Sequence, residues 1–258
     1  MTKVVLLAGG FGTRLAEETE MKPKPMVEIG GHPILWHVMQ LYAHQGFKEF
    51  YVTLGFRGDV VKRYFYDRCN LAGSMTIDLS RGEVARYERG SEDWIVHLHD
   101  TGLNTGTGGR LKRLQPHLRG ATFMLTYGDG VSDIDLHALL RFHESHGRIG
   151  TVTAVRPPAR FGGLVFDGDR VTEFTEKPQI GEGWINGGFM VFEPEVFRFL
   201  DGGDPAHLED HTLPSLAAAG QLVAYRHERF WQCMDTLRDK RHLEALWAQG
   251  SAPWKNWA

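Results

Sequence analysis

The sequence predicts an α/β fold: a Rossmann-like doubly wound mixed sheet with helices on both faces and an additional small β portion. Three observations point there. Residues 4–8 are an unbroken apolar run ending in a glycine loop, as a strand buried on both faces of a parallel sheet does. Through the first half, apolar runs of strand length alternate with stretches of helical period. In the middle, LVFDGDRVTEF (164–174) carries two short strand patterns around an Asp-Gly turn.

The elements follow in order. After the glycine loop, Pro33 opens a helix with Ile34, Leu35, Val38, Met39, Leu41 and Tyr42 on one face. Residues 50–54 read as the second strand and 60–66 as a helix. From 75 to 99 the pattern is strand-like, ending in the alternating WIVHLH. A helix is expected over 110–118, a buried strand over 122–127, a helix over 135–146 and a strand over 151–155. After the hairpin come a strand at 188–192, a helix at 208–219 interrupted near Pro214, a strand at 222–225 and a closing helix at 236–247. That last helix carries Leu243, Leu246 and Trp247 on one side. With no repeat, low-complexity tract or Pro/Ser-rich linker, the 258 residues read as a single domain.

Composition narrows the function. At 42% apolar, 24% charged and a net charge of −3, the chain is an ordinary globular one without the basic excess of a nucleic-acid binder. Cys69 and Cys233 form no framework, so a reducing cytoplasm is expected. The N-terminal apolar run is too short for a signal peptide, and no stretch reaches the ~18 apolar residues of a membrane span.

GGFGTRL (9–15) can aim several N–H groups at one anion through Gly9, Gly10 and Gly12, with Thr13 and Arg14 adding a hydroxyl and a cationic fork. A dinucleotide fingerprint would need glycine where Leu15 stands and an unbroken helix where Pro23 and Pro25 fall; a P-loop would need Gly-Lys, a pair this chain lacks. What remains is a loop for a nucleoside triphosphate, followed by an extended basic segment. In KPKP (22–25) both lysines precede proline, so their side chains should project from stiffened, non-helical backbone. Lys24 can reach back to the loop; Lys22 reads equally well as a solvated surface lysine.

These motifs, with TGGRLKRL (107–114), YGDGVSDID (127–135), WINGGFMVFEP (184–194) and FWQCMDTLRDK (230–240), resemble the signature of the sugar-phosphate nucleotidyltransferases. Such enzymes join a nucleoside triphosphate to a sugar 1-phosphate and release pyrophosphate. The likeness runs from Lys3 to the terminal APWKNW. Its last three stretches are most similar to the branch that makes CDP-glucose from CTP and glucose 1-phosphate. The resemblance implies catalytic roles for Arg14 and Lys24 and a Mg²⁺ ion held by Asp129 and Asp235. It implies nucleotide contacts at Leu6, Ala8, Gly9, Gly10, Gly12, Thr13, Asn104, Thr107, Arg110 and Gly128. Glu176, Lys177, Asn186 and Gly187 would take the sugar phosphate, with Gly162 and Gly163 along the same cleft. A nucleotide-binding half of about 1–130 and a sugar-phosphate half of about 131–258 follow. So do a cytoplasmic homo-oligomer, with a hexamer as one form, and a place in polysaccharide biosynthesis.

Read without the resemblance, several of these positions stay open. Asp129 ends a buried strand between Gly128 and Gly130, where open α/β sheets bind ligands, yet it also reads as a turn former. Asp235 reads as a helix N-cap. Asn186 offers an amide that donates and accepts. Trp184 and Trp231 could stack on a sugar, though buried core is the preferred reading. Ile95, His97 and His99 alternate beside Asp100 and are read as an exposed strand face rather than a metal site. HLEDH (207–211) has its glutamate misplaced for an HExxH hydrolase. The alternatives are the same chemistry with dTTP, UTP or GTP, a non-catalytic nucleotide-sugar sensor, and a dinucleotide-dependent oxidoreductase.

Overall fold

The structure is a computed structural model and describes residues 2–12, 15–19, 22–86, 92–157, 163–167, 170–175 and 183–257. In chain order, β1 (Lys3–Leu7) leads to α1 (Ala16–Thr19), a 3-10 turn (Lys24–Met26), the short β2 (Glu28–Ile29) and β3 (His32–Pro33), and α2 (Ile34–His44). Next come β4 (Glu49–Leu54), α3 (Gly58–Asn70), β5 (Met75–Asp78), β6 (Glu83–Arg86), β7 (Ile95–Asp100), α4 (Thr107–Arg113) and α5 (Gln115–Leu118). β8 (Phe123–Tyr127), β9 (Gly130–Ser132), α6 (Leu136–His146), β10 (Gly150–Val155), β11 (Gly163–Asp167) and β12 (Arg170–Thr175) follow. The chain continues with β13 (Ile185–Phe192), a 3-10 segment (Pro194–Phe199), a π-turn (Leu208–Thr212), α7 (Leu213–Ala218), β14 (Leu222–His227), β15 (Trp231–Cys233) and α8 (Leu237–Ala248).

The main sheet has the order β14-β10-β13-β8-β1-β4-β7. All its pairings are parallel except those of β13, which runs against both β8 and β10. The chain leaves β1 toward β4 and β7 and later returns to β8 on the other side of β1. That reversal makes the C-terminal end of β1 a topological switch point, where open α/β sheets form a crevice. Alternation along the strands separates two cores. Val4 and Leu6 pack with Ile34, Val38, Leu139, Leu243 and Trp254 on one face; Val5 and Leu7 pack with Leu111, Leu118, Val196 and Leu216 on the other. Helices therefore cover both faces. The small β portion, among the described residues, consists of the β2–β3, β5–β6 and β11–β12 hairpins and the β9–β15 ribbon.

Several boundaries differ from the sequence expectation, each for a local reason. The helix expected at 110–118 starts at Thr107 and breaks at Leu114, because Pro116 belongs in the first turn of a new helix, α5. The expected strand-like span 75–99 is a hairpin plus the sheet-edge strand β7. Pro33 caps α2 rather than entering it. The interruption near Pro214 is a π-turn followed by α7, with the proline in the first turn, where its missing N–H costs nothing. Lys24 lies in a 3-10 turn instead of extended backbone: Pro23 is extended, and Pro25 fits the first turn of the tight helix.

Candidate active site

The loop after β1 opens on a cavity of about 310 Å³ lined by Leu7, Ala8, Gly9, Gly10, Gly12, Lys24, Pro25, Thr105, Thr107, Arg110, Tyr127, Asp129 and His207. Arg110 organises its floor. One guanidinium nitrogen donates to the Leu54 and Gly102 carbonyls and the Thr101 hydroxyl, and the other to the Gly9 and Leu103 carbonyls. These acceptors are all neutral. Burial, aided by the neighbouring Arg113, pushes its pKa below the usual arginine range, against a pull from Asp100. An arginine nonetheless stays charged, so the loop is built over a buried positive charge. A Cβ at Gly9 would lie 2.2 Å from that guanidinium, so any side chain there would have to displace Arg110 from its carbonyl partners.

Beside the loop, the Lys24 ammonium donates to Asp129 Oδ2 at 2.6 Å and to Asp235 Oδ1 at 2.5 Å. The lysine is buried. Burial alone would lower its pKa, but Asp129 and Asp235 outweigh that and hold it above the ordinary 10.5. The β9–β15 ribbon brings the two aspartates together: Cys233 pairs with Gly130, and Met234 N–H donates to the Asp129 carbonyl at 2.9 Å. Asp235 is not the N-cap of α8. Thr236 is, in a capping box with Asp239, and this leaves the Asp235 carboxylate for Lys24. Cys233, also at this centre, is pushed up to about 12 by burial and by the adjacent carboxylates.

A second cavity of about 560 Å³ adjoins the first, lined by Thr126, Tyr127, Asp129, Gly130, Pro157, Ile185, Asn186, Gly187, Glu209, Trp231, Cys233 and Asp235. Tyr127 and Asp129 line both. Trp231 donates its indole N–H to the Gly187 carbonyl at 2.7 Å, and Gly188 N–H donates to Asn186 Oδ1 at 2.9 Å. Burial and the Glu209 charge push the Tyr127 hydroxyl well above its ordinary pKa, keeping it a donor.

Of the residues singled out in the sequence, Ala8, Gly9, Gly10, Gly12, Lys24, Thr107, Arg110 and Asp129 line the first cavity, and Asn186, Gly187, Asp129 and Asp235 the second. Leu6, Asn104 and Gly128 line neither: Leu6 is fully buried in the sheet, and Gly128 N–H is bound to the Leu7 carbonyl. Thr13, Arg14, Glu176, Lys177 and Gly162 lie outside the described residues, and of Gly163 only its place in β11 is described. Lys22 is half-exposed near Glu28. Trp184 and Trp231 are only partly buried; the first lies against Arg156, 4.6 Å from the ring centre, and the second walls the second cavity. His97 and His99 stack on Tyr51 rather than facing solvent freely. Sequence reasoning missed Tyr127 and Glu209 as wall residues. Tyr127 was signalled by its place at a strand end before GDG; Glu209 had no sequence signal, because its setting is made by contacts with distant elements.

A family model for nucleotidyl transferases matches residues 3–239, and the chain belongs to that family. Among its relatives, the glucose-1-phosphate cytidylyltransferase of Salmonella typhi is 47% identical over 256 residues, covering 99% of each chain. The mannose-1-phosphate guanylyltransferase catalytic subunit beta of Dictyostelium discoideum is 30% identical over 250 residues, covering 95% of this chain and 63% of that one. In fold alone, the chain is similar to the crystal structure of HddC from Yersinia pseudotuberculosis, with a TM-score of 0.67 at 24% identity, covering 96% of this chain and 100% of that one.

Members of this family generally use a divalent metal ion. The donor set fits one: two carboxylate oxygens converge on a single cationic point, now the Lys24 ammonium. Among the described residues no cluster of three or more His, Cys, Asp or Glu side chains is arranged to hold a metal. A hard cation bound through one or two carboxylates, waters and phosphate oxygens needs no such cluster. No helix among the described residues is long and apolar enough to cross a membrane.

Proposed function

We propose that this chain transfers a cytidylyl group from CTP to α-D-glucose 1-phosphate, giving CDP-glucose and pyrophosphate, with Mg²⁺ as its metal. The observation that carries this reading is a buried lysine clamped by two aspartates where two adjoining cavities share a wall. The 47% identity to the Salmonella typhi enzyme over nearly the full chain supports the choice of nucleotide and sugar. The first cavity takes the nucleotide, on the half of about 1–130, and the second the sugar phosphate, on the half of about 131–258. In one in-line displacement, a phosphate oxygen of glucose 1-phosphate bonds to the α-phosphorus of CTP while its bond to pyrophosphate breaks. The loop N–H groups and Arg14 hold the triphosphate, and Lys24 meets charge developing at the transferring phosphorus. Lys177 and Glu176 align the sugar phosphate, with Asn186 offering both donor and acceptor to its hydroxyls. Asp129 and Asp235 would hold Mg²⁺, which when bound neutralises phosphate charge.

A cytoplasmic workplace fits the two free cysteines, Cys69 and Cys233. Assembly into a homo-oligomer belongs to the same reading and is supported by apolar Ile77, Leu79 and Val84 standing exposed on the β5–β6 hairpin. The test is pyrophosphate release with glucose 1-phosphate, Mg²⁺ and each of CTP, dTTP, UTP and GTP, followed by identification of the product. CTP should dominate and yield CDP-glucose. Preference for another triphosphate would redirect the reading, and tight nucleotide binding without pyrophosphate release would mark a sensor.

A further inference from the structure

Glu209, on the π-turn, is a carboxylate in a cleft meant for two polyanions. Repulsion makes it a poor phosphate ligand. Both its oxygens are already engaged, from opposite walls. Thr107 Oγ1 donates to Oε2 at 2.7 Å, and the Tyr127 hydroxyl donates to Oε1. Thr107 accepts from Leu208 N–H at 2.8 Å, which commits its own proton to Glu209. On the other side, Asn186 Nδ2 donates to the Tyr127 oxygen at 3.4 Å, and the amide is oriented by Gly188 N–H on its Oδ1. The direction of each of these hydrogen bonds is thereby fixed. The chain of bonds begins at Thr107 in the first cavity, passes through Glu209 and Tyr127, and ends at Asn186 in the second. The segment leading into the π-turn is anchored to the start of α4 by Gly106 N–H on the Asp204 carbonyl and Gly108 N–H on the Ala206 carbonyl.

We propose that Glu209 is a positioning residue that holds Thr107 and the Tyr127–Asn186 pair in mutual register and so couples occupancy of the nucleotide cavity to binding in the sugar-phosphate cavity. The inference rests on the cytidylyltransferase reading.

Coupling is measured as the affinity for glucose 1-phosphate, by calorimetry, with and without the unreactive α,β-methylene analogue of CTP, at fixed Mg²⁺. The unsubstituted enzyme should bind the sugar phosphate at least about fivefold tighter in the presence of the analogue. Glu209→Ala should bring that ratio below about two while affinity for the analogue alone changes by less than about threefold. Glu209→Gln, able to accept from only one of the two hydroxyls, should fall between. Thr107→Val/Tyr127→Phe removes the same two bonds, together with those that Leu208 N–H and Asn186 Nδ2 make to the two hydroxyls, without touching residue 209. It should abolish the coupling equally, and adding Glu209→Ala to it should cost nothing more. This pair decides the matter if Glu209→Ala does not fold. An unchanged ratio in the folded variants, or a ratio of one in the unsubstituted enzyme, overturns the inference while leaving the cytidylyltransferase reading standing. An unsubstituted enzyme that releases no pyrophosphate from CTP overturns the reading beneath it as well.

Discussion

The two cavities that meet at Tyr127 and Asp129 are built by opposite means. The first is largely backbone: a glycine loop of consecutive residues laid over one buried guanidinium, with Lys24 a short distance along the chain. The second is assembled from side chains on β8, β13, the π-turn and the β15–α8 junction, and no single stretch of chain encodes it. A loop that presents N–H groups needs only local geometry, whereas a wall of carboxylate, amide and indole needs four elements to arrive in register. The first region should therefore tolerate change poorly at its glycines and cations. The second should respond to changes at a distance, through the pieces that set its register.

The sharpest break in this comparison is at the shared centre. Asp235→Asn is expected to lower turnover by about 10²–10³-fold, the range seen when one preorganised electrostatic group is lost. Thermal stability should move little, because the Thr236–Asp239 capping box is untouched; near-normal turnover would remove Asp235 from the chemistry.

Lys24→Met should reduce turnover by roughly 10²-fold and, by leaving two carboxylates facing each other, destabilise the fold by about 3 kcal/mol. Denaturation with and without Mg²⁺ separates the two effects, since the cation should restore much of the stability and little of the activity. As the lysine's pKa is raised above 10.5, the stability it lends is fully present below that value and is lost only as pH climbs past it.

Arg110→Lys tests whether the backbone cavity depends on its floor. A lysine cannot serve carbonyls on three segments, so KM for the nucleotide should rise about tenfold, with KM for the sugar phosphate less affected. Gly188→Ala probes the second cavity in the same way. Gly188 has φ +79°, and a Cβ there would lie 2.5 Å from the Tyr127 ring. The expected result is about 1–2 kcal/mol of lost stability and a KM defect confined to the sugar phosphate.

The smallest effect on activity lies outside both cavities, at His37. Its Nε2 bonds the Ile29 carbonyl at 2.8 Å and its Nδ1 accepts from Trp254, which makes it neutral; burial lowers it from 6.5 to about 4. The unfolded chain binds that proton first, so stability should fall by roughly 3 kcal/mol as pH drops from 6.5 to about 4. His37→Gln should flatten this slope without altering either KM.

Much of the fold could be read from period alone. The apolar run of β1, the helical face of α2 and the pairing of β11 with β12 were each carried by neighbouring residues, and each formed. Pro116 and Pro214 moved helix boundaries because proline fits a first turn better than an interior, a preference that a hydrophobic pattern does not register. In the site, the glycines, Lys24 and Asp129 were legible as members of short motifs. Arg110 was legible as a residue, but its engagement with the Gly9 carbonyl was not.

By itself, the sequence determined the main alternation of strands and helices, the glycine loop after β1, and the absence of the dinucleotide and P-loop patterns. These rest on local backbone preferences and on spacing, which act between near neighbours. Only the tertiary structure decided that Asp129 and Asp235 close on one ammonium, that Thr236 rather than Asp235 caps α8, and that Glu209 joins the walls of both cavities. Those facts depend on the β9–β15 ribbon and on the docking of the π-turn against α4. Contacts between segments far apart in the chain are chosen by the packing of the whole, and nothing in the adjacent residues encodes them.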